Sequence, residues 1–183
     1  VGLGLDFRHL NSWSENQLIA SYLGSDKGGA DDDKIDPLTG LRPNEGEDRY
    51  LTGLKHNGGA GRAWSTLLDI NHVSDVDYFR DLGNLTLDDN SLTHLQRRAS
   101  AGYKTSNWNY SVAAQDYQAI TQGLDDQYSV MPQVSADGYY RLSHSLVIDL
   151  KNRYSVFNHD DNRFVTGSRS SIDYGISWDK RWS

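Results

Sequence analysis

Six histidines and 25 acidic residues are the side chains best suited to hold a metal ion or move a proton. The histidines form no H-E-x-x-H or H-x-H pair and cysteine is absent, so the usual ligand spacings of a zinc site are missing. The aspartate run at 31–33 offers oxygen ligands for a hard cation, but it lacks the glycine and terminal glutamate of an EF-hand loop. A solvated loop that opposes aggregation is the favoured interpretation of this run.

Nucleophilic and acid–base catalysis find no support either. The sequence has no G-x-S-x-G motif, and its carboxylate pairs lie in polar loops where nothing sets one member apart as the acid. The glycines at 58–61 precede no helix, so they predict a hairpin turn rather than a phosphate-binding loop. We therefore expect no enzyme, no catalytic residue, no metal site and no cofactor.

Alternation of apolar and polar residues is the dominant pattern of the chain. No apolar run approaches the roughly 20 residues that a membrane helix needs, whereas a tilted membrane strand needs only about 9–11. An aromatic content of 11% argues against disorder. The alternation also predicts that Val130 and Val134 share a face. It predicts nine strands, at 1–10, 16–23, 49–57, 63–73, 92–104, 108–120, 128–137, 145–157 and 163–178.

The predicted connections differ in length and charge. Those at 11–15, 58–62 and 105–107 are short, although 138–144 on the same side is not distinctly so. The connections at 24–48 and 74–91 are long, and with 121–127 and 158–162 they hold 17 of the 25 acidic residues. Short turns on one side and long loops on the other are the layout of an outer-membrane barrel. The two longest loops are therefore predicted to be extracellular.

Basic side chains within the strands need a polar surrounding. An unpaired charge facing lipid costs about 2–4 kcal/mol at the bilayer centre, so Arg98 and Lys104 are expected in the lumen if Ala99 faces lipid. Lys151 is assigned to the lumen in the same way. A basic lumen suits an anionic cargo, but the same bases would also balance neighbouring acids, and both interpretations stay open. Alternation places Arg97 outward, which predicts a position at the lipid headgroup level.

Aromatic residues recur near the predicted strand ends. Amphipathic rings at these positions are typical of the interfacial girdles of a barrel. The alternative is a carbohydrate-stacking surface on a soluble β-sandwich. The girdle candidates are Tyr22, Trp64, Tyr103, Trp108, Tyr110 and Trp178.

The stretch from 69 to 83 carries the most specific motif of the chain, at 72–83. It resembles the V-D-Y-x-x-V-S-D-x-x-Y-F-x-D loop entrance of the LPS-assembly protein LptD family. Weaker matches lie at 7–10, 22–27, 100–103, 108–118 and 128–133. The residues that carry the loop motif here are Val73, Ser74, Asp75, Tyr78, Phe79 and Asp81.

The resemblance implies an outer-membrane barrel of a Gram-negative bacterium that inserts lipopolysaccharide into the outer leaflet. It implies an LptE-like lipoprotein plug, lipopolysaccharide, outer-membrane lipids and a periplasmic lipopolysaccharide bridge as partners, and no nucleic acid. The bridge would be reached through an N-terminal domain outside this chain. Arg98, Lys104 and Lys151 become candidates for contact with lipopolysaccharide or with the plug.

Taken together, residues 1–183 are interpreted as an all-β, antiparallel segment of about nine strands from a larger transmembrane β-barrel. The chain begins with Val1 rather than Met, and we expect it to be a fragment. A general outer-membrane porin is the alternative of the same class, and an upstream β-jellyroll domain would separate the two. The alternative of another class is the soluble β-sandwich carbohydrate-binding module, which would stay monodisperse without detergent.

Overall fold

The computed structural model describes residues 2–28, 35–42, 44–82, 93–121, 123–124 and 127–178. The aspartate run at 31–33 and the second part of the predicted loop 74–91 lie outside these residues. The elements in chain order are β1 (Gly2–Leu10), β2 (Ser14–Leu23), β3 (Arg49–Gly58), β4 (Trp64–Val73), α1 (Tyr78–Leu82), β5 (His94–Lys104), β6 (Trp108–Ala119), β7 (Ser129–Arg141), β8 (Leu146–Asn158) and β9 (Gly167–Trp178).

The nine strands form one antiparallel sheet in sequence order, from β1 at one edge to β9 at the other. The predicted fold class is confirmed, because each hairpin pairs neighbouring strands and the sheet is not closed on itself. In the described part of the chain, no helix has the length and hydrophobicity to cross a membrane. The described element that is not a strand is α1, five residues long.

The register separates the side chains of the sheet into two faces. Leu18 lies opposite Leu54, Leu54 opposite Ile70, and Val112 opposite Val134, so their side chains share what we call the apolar face. The other side, which we call the polar face, carries Asp69 opposite Arg98 and Asp137 opposite Lys151, among other pairs. These large side chains of the apolar face stay exposed, because no second layer formed by the described residues covers them.

A small apolar cluster lies at the end of the sheet where the long loops emerge. It combines polar-face residues of β2, β3 and β4 with the first residue of α1, with Leu95 of β5 and with Ile120 just after β6, and Phe79 packs against it. The sequence did not predict α1, because the helical spacing of its five residues cannot be recognised within a polar loop. The Asp75 carboxylate accepts a hydrogen bond from the Asp77 N–H at 3.1 Å, which caps the turn. The cluster consists of Ile19, Leu51, Val73, Tyr78, Leu95 and Ile120.

Two details of β7 differ from the prediction. The strand continues to Arg141, so its connection to β8 is a tight turn in which Leu142 N–H donates to Leu146 O at 3.0 Å. Four short connections therefore lie at the same end of the sheet. A bulge in β7 places Val130 opposite Gln115, whereas Val134 stays opposite Val112. The prediction that the two valines share a face was wrong, because Pro132 has no N–H to continue the ladder.

Candidate functional site

Arg49 is the most completely buried charged side chain among the described residues, with 2% of its surface exposed. Its Nε and Nη2 donate to the two oxygens of Asp75 at 3.0 and 2.8 Å. Its Nη1 donates to Asp26 at 2.9 Å and to Asp81 at 3.1 Å. The guanidinium carbon lies 5.7 Å from the centre of the Tyr78 ring. We call Arg49 and its three aspartates the Arg49 centre.

The Arg49 centre joins two loops that are distant in sequence. Asp26 belongs to the loop between β2 and β3, whereas Asp75 precedes α1 and Asp81 lies within it. Asp26 is itself fixed, since its N–H donates to Glu47 O and its carbonyl accepts from Gly46 N–H. One arginine at the start of β3 therefore holds both loops against the polar face, because a buried guanidinium needs an acceptor for each of its donors.

The surroundings of Asp75 favour its charged form. Burial alone would raise the pKa of this carboxyl, but hydrogen bonds from Arg49 and Ser74 outweigh that effect and hold the pKa below its usual value. The Ser74 hydroxyl donates to Asp75 at 2.6 Å and its N–H donates to Tyr50 O at 2.9 Å. Asp75 is therefore a charged anchor whose position is fixed from two sides.

The structure brings the residues of the predicted loop motif together. Val73 and Tyr78 are in the apolar cluster, Phe79 packs beside it, and the two aspartates bind Arg49. We call the segment 74–82, which the centre holds over the apolar cluster, the cap. Arg49 was not predicted from the sequence, although one signal was present: a lone arginine shares a face with Leu51 at the start of a strand, between aspartate-rich loops.

The three candidate bases Arg98, Lys104 and Lys151 all lie on the polar face. Arg98 is opposite Asp69, and the two residues line a hollow of about 360 Å³. Lys151 lies between Asp137 and Asp173 in the register. Lys104 and Lys151 line a second hollow of about 390 Å³ near the short turns. The bases thus form two separate groups, and two of the three face an aspartate across the sheet.

Arg97 lies on the apolar face, between Ile70 and Asp116 in the register. Its Nη2 donates to His72 Nδ1 and to Gln118 Oε1, both at 2.7 Å. Its Nη1 is 3.5 Å from Asp116 Oδ2. We call His72, Arg97, Asp116 and Gln118 the Arg97 group. It lies at the long-loop end of the sheet, where the apolar rows stop.

The aromatic candidates divide between the two ends of the apolar face. Trp64, Tyr103 and Tyr110 lie side by side in the register at the short-turn end, and Trp108 stacks on Tyr110 with ring centres 5.7 Å apart. Trp178 ends β9 at the same side. Tyr22 is at the opposite end, directly across from Tyr50. The rings therefore mark both ends of the apolar face.

Metal chemistry has no site among the described residues, which contain no group of three or more His, Asp or Glu side chains arranged to hold an ion. The aspartates of the Arg49 centre bind the guanidinium instead. The arrangement is suited to anchoring loops and presenting surfaces, and no nucleophile–base pair emerges from it.

Comparison with known proteins gives one consistent result. The family model for LPS transport system D, LptD, matches residues 47–183. The chain is 33% identical to the LPS-assembly protein LptD of Saccharophagus degradans, over 96% of the chain and 22% of that protein. It is 28% identical to the same-named protein of Vibrio vulnificus and 29% identical to that of Shewanella frigidimarina, in each case over 94% of the chain. The chain spans about a fifth of the length of these relatives.

Proposed function

The chain belongs to the LptD family, and from this premise we propose that it forms part of the wall of an outer-membrane β-barrel that assembles lipopolysaccharide in a Gram-negative bacterium. One observation carries the proposal beyond the family match. The sheet has one apolar and one polar face, and the apolar face is uncovered along its whole width among the described residues. Lipid is the solvent that suits such a face.

The two ends of the sheet have different roles in this proposal. The long loops, including 24–48 and the cap, lie outside the cell, and the short turns lie in the periplasm. The Arg97 group and Tyr22 lie at the outer headgroup level, and the row of Trp64, Tyr103 and Tyr110 forms the inner girdle. The cap narrows the outer end of the lumen over β2 to β5.

The polar face is proposed to meet the partners. An LptE-like lipoprotein plug and the polar part of lipopolysaccharide are the partners, and Arg98, Lys104 and Lys151 are the contacts for their anionic groups. The periplasmic bridge is reached through parts of the protein outside this chain. Transport requires a path rather than a covalent step, so no residue of this wall is assigned a catalytic role.

The alternatives fit the observations less well. A β-sandwich buries its apolar face against a second sheet, whereas the described strands all belong to one sheet. A general porin finds no support among the comparisons, which point to the LPS-assembly family.

The sidedness of the sheet tests the proposal directly. We expect Val112→Cys and Ala113→Cys, made separately in the full-length protein and labelled with an environment-sensitive dye, to report opposite surroundings in a bilayer. Val112 is 48% exposed on the apolar face, and Ala113 is its neighbour on the polar face. A nitroxide-labelled lipid should quench the dye at 112 and leave the dye at 113 largely unquenched. Equal quenching at the two positions contradicts a lipid-facing wall.

A further inference from the structure

The pairing of β4 with β5 stops before either strand ends. The register runs from Trp64–Tyr103 to Ile70–Arg97, although β4 continues to Val73 and β5 begins at His94. The wall therefore has an opening between these strands at its long-loop end. Side chains occupy the opening in place of a strand ladder.

Gln118 and Arg97 are the side chains that bridge this opening. The Gln118 amide accepts a hydrogen bond from Val73 N–H at 3.3 Å and donates to Val73 O at 2.8 Å. The Arg97 Nε donates to Asn71 O at 3.2 Å. Both side chains belong to residues of the apolar face, so a polar group lies where the neighbouring apolar rows would lead one to expect aliphatic side chains.

The positive charge of Arg97 is only weakly neutralised. Its shortest contacts, to His72 and Gln118, are to uncharged acceptors, since arginine only donates and the histidine nitrogen must then accept. Asp116, the acidic side chain that contacts Arg97 among the described residues, is 3.5 Å away. The two side chains are 30% and 39% exposed, and pairs of this kind gain little from each other.

The position of the group matches a headgroup level. Ten residues separate Trp108, in the aromatic row, from Gln118 along β6. This is about 33 Å along a strand at about 3.3 Å per residue, or about 25 Å across the membrane at a strand tilt of about 40°. The apolar band of a barrel is about 25 Å tall. With the aromatic row at one interface, the Arg97 group therefore lies at the other.

We propose that the Arg97 group binds the phosphate of an anionic lipid on the outside of the wall. The guanidinium is the phosphate ligand, because its planar fork matches phosphate oxygens. His72 and Gln118 hold the fork in position, and Asp116 is the weak counter-ion that the phosphate replaces. The inference rests on the proposed function, since it requires the apolar face to meet lipid. Lipopolysaccharide and glycerophospholipids both supply such a phosphate.

The test uses the full-length protein in phosphatidylcholine nanodiscs that contain either diphosphorylated lipid A or phosphatidylglycerol as the probe. Native mass spectrometry measures how much probe lipid each variant retains. We expect Arg97→Gln to lower retention about tenfold, the size of one charge-assisted hydrogen bond. Arg8→Gln is the matched control, since Arg8 is an exposed arginine of the polar face that pairs with Asp6, and it should leave retention unchanged.

Asp116→Asn separates binding from a structural role. Removing the competing carboxylate should raise retention of the probe, whereas a group that only closes the opening would lose retention or show no change. If Arg97→Gln loses retention of both probes, the Arg97 group binds any lipid phosphate. If it loses retention of lipid A alone, the ligand is lipopolysaccharide.

Equal retention by wild type and Arg97→Gln overturns the inference, as does a fall in retention for Asp116→Asn. These outcomes leave the proposed function intact as long as the wild type enters the nanodiscs. A wild-type protein that does not enter them contradicts the proposed function itself.

Discussion

Two parts of the polar face differ in what covers them. The capped region, on β2 to β5, lies beneath the cap, and the open region, on β8 and β9, does not. Both have the same alternation of apolar and polar residues. In the first region Leu51 and Val73 are 4% and 0% exposed, because the cap packs on them. In the second region Lys151 and Asp173 stay exposed. The loop between β8 and β9 does not cover them, since its His159 and Phe164 stack locally on each other at 4.0 Å. The loops rather than the strands thus decide which part of the polar face is covered.

The capped and open regions therefore have different roles within the proposed wall. The capped region carries its own cover, which is anchored by a buried ion cluster and needs no partner to exclude water. The open region has charged side chains that alternate in sign across β7, β8 and β9. Such a surface is suited to a partner with its own charges, because exposed pairs exchange one partner for another at little cost.

Removing the anchor should produce the largest effect. We expect Arg49→Met to destabilise the capped region by about 3 kcal/mol, because it leaves several partly buried aspartates without their cation. Limited proteolysis of the full-length protein should then cut within 74–82, while the strands remain protected. Arg8→Met is the matched control, since Arg8 is an exposed arginine that pairs with Asp6. If both variants resist protease equally, Arg49 is not what holds the cap.

Lowering the pH should weaken the contact between Arg49 and Asp75, but by less than the Arg49→Met substitution does. The pKa of Asp75 is lower in the folded chain than its ordinary value, so its contribution is fully present above about pH 4 and is lost as the pH falls through the lower folded value. The protection factors of the amides in 74–82, which correct for the intrinsic pH dependence of exchange, should therefore fall below about pH 4, whereas those of the β8 amides should change little. Asp75→Asn should abolish the difference between neutral and acidic pH. A pH response that persists in this variant would assign the effect to another group.

The sequence predicted the parts of the structure that depend on neighbouring residues. Alternation is a local property, so the nine strands were located to within a few residues and Arg97 and Arg98 were assigned to opposite faces. The motif at 73–81 was recognised, but not what it binds. Arg49 meets its aspartates across 23 to 32 positions of sequence, and no spacing rule connects them. The cap and α1 were missed because they depend on contacts between distant segments. The β7 bulge was missed because it depends on a single proline.

Substitutions in the open region should have the smallest effect, because replacing an exposed residue changes stability by only about 0.5 kcal/mol. Crosslinking tests this region instead. A photo-crosslinking amino acid at Arg153 should capture a protein partner in cells, whereas the same group at Tyr154 should capture lipid. These neighbours in β8 lie on opposite faces and are both exposed, so only the direction differs between them. The same group at Leu51 should instead join β3 to the cap within one chain. Capture of the partner at Leu51 but not at Arg153 would reverse the comparison, because the capped region would then be the one that opens to a partner.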